Sequence, residues 1–492
     1  MWPAWSGSWT CFNEDFLYGL DLLTSETTPQ GTVNYTYDNA SRHATMTVVG
    51  QPQVVYTYDN ANRLTNIQQG TSNIVIGYDD ADRRTSVTYP NTNSITYAYN
   101  AASELTTLTY KQGATTLGDF TYTYDAAGNR IKTGGTFARS NVPPALATTS
   151  YNANNQQTTF GTATETFDLN GNQATTTDAG VTTTYNWNAR NQLTGISRTG
   201  FTASFTYDSF GRRTGKTSNA TTTNFVYDGL NPVQEKNGAT VTANLLTGPG
   251  IDEFFTRTDG VGVRALLPDA LSSTVALGDG TGTLQTQYTY EPFGITTQTG
   301  AASTNSYKYT GREDDGSGLY YYRARYYQPR LQRFIAEDPL GFGGGGDVNL
   351  YEYVSGNPMM YRDPYGLFEL PLLPQEVVDA SAGIGDALSL GLTDLIRDAL
   401  DINTVVDKCS DAYKGGKYAG YALGGSGLAL RGAAALGGTR LGSFLNSNRY
   451  LRTGPGRMPA NGPLPASTNA PRISIGPGPG NPHIDLRVRG ID

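Results

Sequence analysis

One short phrase recurs along this chain, and it decides the fold: YTYDNASRH (residues 35–43), YTYDNANRL (56–64), YTYDAAGNR (122–130) and FTYDSFGRR (205–213). The Asp of this phrase, or an Asn in its place, returns about every 20 residues. These turn residues are Asp38, Asp59, Asp79, Asn100, Asp125, Asn152, Asp168, Asn188, Asp208 and Asp228. A repeat this short predicts one supersecondary unit built many times over.

Each unit has the pattern of a strand, a turn and a second strand. Tyr35 and Tyr37 are two residues apart, so they lie on one face of a strand, which we expect to be buried. The Asp can bond the backbone ahead of it, and a Gly three residues later, such as Gly128 or Gly211, supplies a positive φ. Because single hairpins are marginal, we predict that residues 30–330 pair into one continuous antiparallel sheet that curls.

The tyrosines allow two interpretations. Cross-strand aromatic ladders lining the inner face of the sheet are the structural one. A platform on which sugars stack is the functional alternative. The pattern favours the structural role.

The composition agrees with a mainly β protein. The 492 residues include 33 Tyr and 59 Gly, and only 16% are charged. The net charge of −8 argues against a surface that binds nucleic acid over its whole extent. Cys11, Cys409, His43 and His483 are too scattered to predict a metal site, and no cofactor is predicted.

The first residues lack the basic start and the apolar middle of a signal peptide. Their abrupt beginning suggests the C-terminal piece of a longer protein. Export by a signal peptide in this chain is therefore unsupported, and a secreted or cell-surface location requires another route.

The repeats and three later blocks resemble the Rhs (rearrangement hot spot) family of YD-repeat proteins and the related Tc-toxin C subunits. The blocks begin with TGPGIDEFFTRTD (247–259), LPDALSSTVALGDG (267–280) and YTGREDDGSGLYYYRARYY (309–327). The resemblance covers about residues 30–367. One departure is Gln332, where the family usually has Gly.

The resemblance implies hairpins wound into a large antiparallel β-shell, here a partial cocoon, followed by a small α-rich C-terminal domain. The predicted domains are an N-terminal segment (1–30), the repeat shell (31–310), the Rhs repeat-associated core (311–367) and a variable effector (368–492).

Two similar phrases, DPLGF at Asp338 and DPYGL at Asp363, bracket the end of the core. Taken alone, D-P-x-G is a good turn sequence. The phrases also resemble the paired motifs whose aspartates act as an intramolecular aspartic protease in Rhs proteins, although Phe342 departs from the pattern. The resemblance thus implies a cut between Leu367 and Phe368.

Two arginines flank these motifs, Arg333 and Arg362. Either could hold an aspartate ionised or polarise the carbonyl group. An ordinary surface role is the equal alternative for each.

The composition changes after Leu367. Residues 375–438 have the apolar spacing of helices, and residues 440–492 form a basic tail rich in Pro and Gly. In HIDLRVR, His483, Asp485 and Arg487 alternate on a predicted strand, so they could form a nuclease-type site with His483 as the base. A solvated basic edge strand is the equal alternative.

The sequence therefore predicts a bacterial Rhs-type polymorphic toxin chain. Its shell would hold the C-terminal effector as cargo and release it by autoproteolysis. The predicted partners are a cognate immunity protein, a secretion apparatus and a nucleic-acid target of the tip. The alternative is a non-catalytic surface protein that binds carbohydrate or neighbouring cells through its tyrosines.

Overall fold

A computed structural model describes residues 22–139, 148–341, 349–367 and 369–371. Within these ranges the regular structure is antiparallel strand, apart from 3-10 turns such as Tyr309–Gly311 and Val354–Gly356. The predicted helices at 375–438, the tail at 440–492 and its residues His483, Asp485 and Arg487 lie outside the described residues. None of the described residues forms a helix with the length and hydropathy of a membrane span.

The first sheet has 11 strands, and each pairs with the next along the chain. Its strands are β1 Ser25–Thr28, β2 Gly31–Tyr37, β3 His43–Val48, β4 Val54–Tyr58, β5 Leu64–Gln69, β6 Ser72–Tyr78, β7 Arg84–Thr88, β8 Asn93–Tyr99, β9 Leu105–Gln112, β10 Thr115–Tyr124 and β11 Arg130–Gly134.

The second sheet has 16 strands in the same sequential order. Its strands are β12 Thr149–Tyr151, β13 Gln157–Phe160, β14 Ala163–Phe167, β15 Gln173–Asp178, β16 Val181–Trp187, β17 Leu193–Arg198, β18 Phe201–Tyr207, β19 Arg213–Ser218, β20 Thr221–Asp228, β21 Asn231–Asn237, β22 Thr240–Thr247, β23 Phe254–Asp259, β24 Gly262–Pro268, β25 Thr274–Gly278, β26 Leu284–Tyr290 and β27 Thr296–Gly300.

The prediction of one continuous sheet over residues 30–330 is therefore wrong. The repeats form two sheets, and β11 and β12 are edge strands of different sheets. The unit itself is confirmed, because every repeat forms an antiparallel pair of strands around its turn.

The turn at Asp79 shows why the phrase repeats. Asp79 Oδ1 accepts hydrogen bonds from the backbone N–H groups of Ala81 and Arg83, each at 3.0 Å. Its Oδ2 accepts another from Arg83 Nε at 2.8 Å. The Arg83 guanidinium then lies over the ring of Tyr99 in the next repeat, 4.7 Å from its centroid. This phrase thus closes its own turn and contacts the following one.

The predicted positive φ is also confirmed. Gly128 and Gly211 have φ of +80° and +86° at the last position of their turns. Ser41 and Asn62 occupy the same position with φ of +61° and +66°. The turn therefore imposes the left-handed conformation even where the residue is not Gly.

The tyrosine face of the first sheet is buried against the second sheet. Tyr35 and Tyr56 are 5% and 8% exposed, and both belong to an apolar cluster that includes Val226 and Leu267 of the second sheet. The Tyr110 hydroxyl donates a hydrogen bond to the carbonyl oxygen of Pro268 at 2.6 Å. These rings contact protein, so in this arrangement they offer no platform to a sugar.

The core segment, residues 311–367, packs on the second sheet. It contains β28 Glu313–Asp314, β29 Tyr320–Tyr322, β30 Arg325–Gln328 and β31 Arg333–Phe334, which form one small sheet, and then β32 Tyr361–Arg362, which pairs with β33 Leu370–Pro371. Tyr321 and Tyr326 share an apolar cluster with Phe205 of the second sheet. Nearby, the fully buried Arg213 forms ion pairs with Glu313 and Asp315. These contacts fix the core segment against the repeats.

Candidate functional site

The two aspartates that the sequence singles out meet at one arginine. Asp338 Oδ2 lies 3.0 Å from Arg325 Nη2, and Asp363 Oδ2 lies 3.5 Å from the same nitrogen. The chain brings them together although 25 residues separate the two motifs in sequence. The fold therefore places both carboxyl groups at the same guanidinium.

Arg325 is held in place from several sides. Its side chain is 3% exposed, and its guanidinium lies 3.7 Å from the centroid of the Phe334 ring. Nη1 donates to the carbonyl oxygen of Leu350 at 3.1 Å, and Nε donates to the carbonyl oxygen of Gly366. A buried guanidinium with these fixed partners is a rigid cation between two carboxylates.

Each aspartate also stabilises its own turn. Asp338 Oδ1 accepts the N–H of Leu340 at 2.8 Å. Asp363 Oδ1 accepts the N–H of Leu367 at 3.1 Å. The second bond places a carboxylate against the residue that precedes the predicted cut.

Gly366 lets this second turn sit close to the core hairpin. Its φ is +68°, and a Cβ there would lie 2.2 Å from the carbonyl oxygen of Tyr322. No larger residue fits without moving backbone. The glycine of DPYGL therefore has a packing reason as well as a turn reason.

Burial and the shared guanidinium have opposite effects on the pKa of Asp338. Burial raises the pKa of Asp338, although the Arg325 guanidinium acts in the opposite direction. Burial lowers the pKa of Arg325, although the charges of Asp363 and Asp338 act to raise it. Two carboxylates and one guanidinium would leave a net negative charge in a poorly solvated site. A single proton shared by the two carboxyl groups would neutralise the site.

The comparisons with known proteins agree with the repeat fold. The family model "RHS Repeat" matches residues 78–115. Toxin subunit YenC1 of Yersinia entomophaga is 45% identical over 94 residues, which are 18% of this chain and 9% of that protein. The tRNA nuclease WapA of Bacillus subtilis (strain 168) is 29% identical over 272 residues, 50% of this chain and 11% of that protein.

Residues 78–115 thus match an RHS repeat, and the chain resembles Rhs repeat proteins. It is similar to toxin proteins, nuclease toxins among them, and it spans only about a tenth of the length of the two relatives named above. The solved Photorhabdus luminescens Tc holotoxin pore, which carries a TccC3 variant, matches with a TM-score of 0.53 at 21% identity. That match covers 69% of this chain and 21% of the other, and it supports the fold.

The two arginines that flank the motifs have other partners. Arg333 Nη2 donates to the carbonyl oxygen of Asn155 and to Asn349 Oδ1, both at 3.0 Å. Arg362 Nη1 donates to Ser272 Oγ at 2.8 Å. Within the described ranges, neither arginine forms an ion pair with the two aspartates. Their predicted auxiliary role stays a prediction.

The residue that sequence reasoning missed is Arg325. It stands in YYYRARYY (residues 320–327), a run of aromatics that are expected to be buried. A charged residue inside such a run needs a counterion, because an unpaired buried charge is costly. That signal could have connected Arg325 to the two nearby aspartates.

Gln332, which stands where the family usually has Gly, has a φ of +60°. The backbone there keeps the left-handed conformation that the usual Gly would adopt freely. The substitution therefore changes the residue and leaves the turn in place.

Proposed function

We propose that this chain is part of an Rhs-type toxin whose core segment cuts the chain once, between Leu367 and Phe368. The observation that carries the proposal is the convergence of Asp338 and Asp363 on Arg325, with Asp363 bonded to the N–H of Leu367. Two carboxyl groups, one of them with a raised pKa, are the minimum equipment of an aspartic protease.

In the proposed reaction, water attacks the carbonyl carbon of Leu367. Asp363 accepts a proton from that water as the new C–O bond forms. Asp338, whose pKa burial raises, acts as the acid in its protonated form and gives its proton to the amine of Phe368 as the C–N bond breaks. The products are a new carboxylate at Leu367 and a new amine at Phe368, and hydrolysis consumes one water.

The intramolecular arrangement compensates for a simple site. The turn that carries Leu367 is fixed by Asp363 and by the Gly366 carbonyl bond to Arg325. Positioning of this kind replaces a bimolecular encounter and is worth several orders of magnitude in rate. A weak site therefore suffices for a single turnover.

Purified full-length chain tests the proposal by gel and intact mass. The wild type should give a long fragment that ends at Leu367 and a short one that begins at Phe368. Asp338→Asn and Asp363→Asn should stay whole. A wild-type chain that stays whole after folding, or a variant still cut at this bond, would contradict the mechanism.

We also propose that residues 368–492 are the released effector and that the repeats enclose it before secretion or delivery. The basic tail and the similarity to a protein named as a tRNA nuclease support a nuclease activity with His483, Asp485 and Arg487 in its site. Expression of the full chain should then arrest growth, and His483→Ala should relieve the arrest. Arrest that persists undiminished in that variant would remove His483 from the mechanism.

A further inference from the structure

Three successive residues at the tip of the core hairpin hold three successive carbonyl groups of the turn at Asp363. We call residues 363–367 the cleavage turn and residues 323–325 the hairpin tip. The bonds run from Arg323 Nη1 to Pro364 O, from the Ala324 N–H to Tyr365 O at 3.1 Å, and from Arg325 Nε to Gly366 O. The hairpin tip therefore determines the shape of the cleavage turn.

Arg323 occupies a position that disfavours its residue type. It is the first of two loop residues between β29 and β30, because Tyr322 pairs with Arg325. Its φ is +59°, a value that Gly or Asn adopts at lower cost in such loops. A strained arginine at this place indicates that its side chain is needed.

The side chain of Arg323 is anchored in the second sheet. Nη2 lies 2.8 Å from Asp252 Oδ1, and Nη1 lies 3.2 Å from Asp252 Oδ2. Asp252 belongs to the turn between β22 and β23, and its side chain is 1% exposed. Arg312 contacts the same carboxylate. Although burial raises the pKa of Asp252, Arg312 and Arg323 hold it below its usual range, so Asp252 is a fixed anion.

A second turn of the same sheet contacts the start of the cleavage turn. Ser272, between β24 and β25, accepts a hydrogen bond from Arg362, the residue before Asp363. The cleavage turn is thus connected to two turns of the second sheet.

We infer that formation of the second sheet controls cleavage. The cleavage turn reaches its reactive shape only after the turn that carries Asp252 has bound Arg323. This inference rests on the proposed autoproteolysis and concerns its control. Until the second sheet is formed, Arg323 has no counterion to orient it toward Pro364. Asp252 is therefore a positioning residue that couples cleavage to completion of the sheet.

The test compares two buried arginines of the full-length chain. Arg323→Ala should slow the appearance of the fragment that begins at Phe368 by about tenfold to a hundredfold, because the turn is displaced. Arg257→Ala is the matched control. Arg257 pairs with Glu235 and Asp259 in the same sheet, and its side chain is 7% exposed against 11% for Arg323. The control should be cut at the wild-type rate.

Chemical rescue separates positioning from a general loss of structure. Guanidinium ion at millimolar concentration should restore part of the rate to Arg323→Ala, whereas sodium chloride at the same concentration should not. If Arg323→Ala does not fold, Arg323→Lys serves in its place, because it keeps the charge and loses the forked contact with Asp252 and Pro364. Asp252→Asn should give the same slowing as the arginine variant.

The outcomes keep the two proposals apart. A wild-type chain that is not cut after Leu367 would refute the autoproteolysis itself. Suppose instead that the wild type is cut, and that a folded Arg323 variant is cut equally fast or the Arg257→Ala control is slowed as much as the Arg323 variant. Either result would refute the control of cleavage by Asp252 and would leave the autoproteolysis standing.

Discussion

The repeat turns and the cleavage turn are both closed by an aspartate that accepts backbone N–H groups, but the cation that neutralises the aspartate comes from a different place in each. In both, Asp Oδ1 accepts backbone N–H groups of its own turn, as Asp79 does from Arg83 and Asp363 does from Leu367. In the repeat, the residue four positions on is Arg83, which also neutralises Asp79 Oδ2. In the core segment that position is Leu367, so the cation comes from Arg325 on another strand.

The two kinds of turn differ in the pKa of their aspartates. Hydrogen bonding from Arg83 lowers the pKa of Asp79, whose side chain is 26% exposed. Burial raises the pKa of Asp338, which shares its arginine with a second carboxylate. A local ion pair at the surface therefore makes a structural turn, and one cation shared by two buried acids makes a candidate catalytic one.

The largest effect is expected from removing the shared cation. Arg325→Met should slow cleavage by about a hundredfold to a thousandfold, as does the loss of one preorganised charge-stabilising group in other enzymes. It should also cost about 3–5 kcal/mol of stability, because two buried acids lose their counterion. Residual cleavage should extend to higher pH, since Arg325 no longer lowers the pKa of Asp338. Fragment yield against pH and thermal melting measure both.

Arg83→Met removes the equivalent cation from a repeat turn and serves as the control. It should leave the cleavage rate unchanged and cost no more than about 1 kcal/mol. Equal effects of the two substitutions would mean that the two kinds of turn do not differ as described.

The glycines of the two D-P-x-G turns give the next contrast. Gly366→Ala should slow cleavage by about tenfold to a hundredfold. It should also destabilise the chain by up to about 3 kcal/mol, because its Cβ would meet the Tyr322 carbonyl oxygen at 2.2 Å. Gly341 has a φ of +58°, but nothing lies within 4 Å of an added Cβ. Gly341→Ala should therefore lower the free energy of unfolding by only about 1 kcal/mol. Urea unfolding in the Asp338→Asn background, where the chain stays whole, measures both; an equal cost would argue against the close packing at Gly366.

A buried carboxyl without a shared cation should respond to pH in the opposite sense to Asp79. Burial raises the pKa of Glu165 to about 7, and within the described ranges neither of its oxygens has a hydrogen-bond partner. A folded pKa above the unfolded one gives stability that is present at low pH and is lost as the pH rises through about 7.

Glu165→Gln should therefore raise the free energy of unfolding by about 1–2 kcal/mol at about pH 8, discounted for partial solvent screening, and by little at about pH 4. Urea unfolding at the two pH values in the Asp338→Asn background is the measurement. Destabilisation at the higher pH would show that Glu165 has a favourable partner.

The smallest effect is expected from the same Asp→Asn change in a repeat. Asp79→Asn should cost about 0.5 kcal/mol or less and leave cleavage intact, because Asn keeps the Oδ1 acceptor and loses only a surface ion pair. Asn100 already fills this role, accepting the N–H groups of Ala102 and Glu104. A measurable loss of cleavage in Asp79→Asn would show that the repeat turns influence the site more than their local bonding suggests.

The sequence by itself determined the local structure. The spacing of the phrases predicted the strands and turns, since an Asp or Asn, its backbone partners and the left-handed residue lie within five positions of one another. It also pointed to Asp338 and Asp363, because the resemblance to the Rhs family carried their roles with it. For the shell as a whole and for residues 368–492, the sequence provides predictions that remain to be tested.

Only the tertiary structure decided which distant groups meet. That the repeats form two sheets, with Tyr35 and Tyr56 buried between them, depends on face-to-face packing that no local pattern contains. Arg325 at the two aspartates and Asp252 behind Arg323 are contacts between strands far apart in sequence. A turn is fixed by bonds among neighbours along the chain, whereas a buried charge finds its counterion wherever the fold brings one within reach.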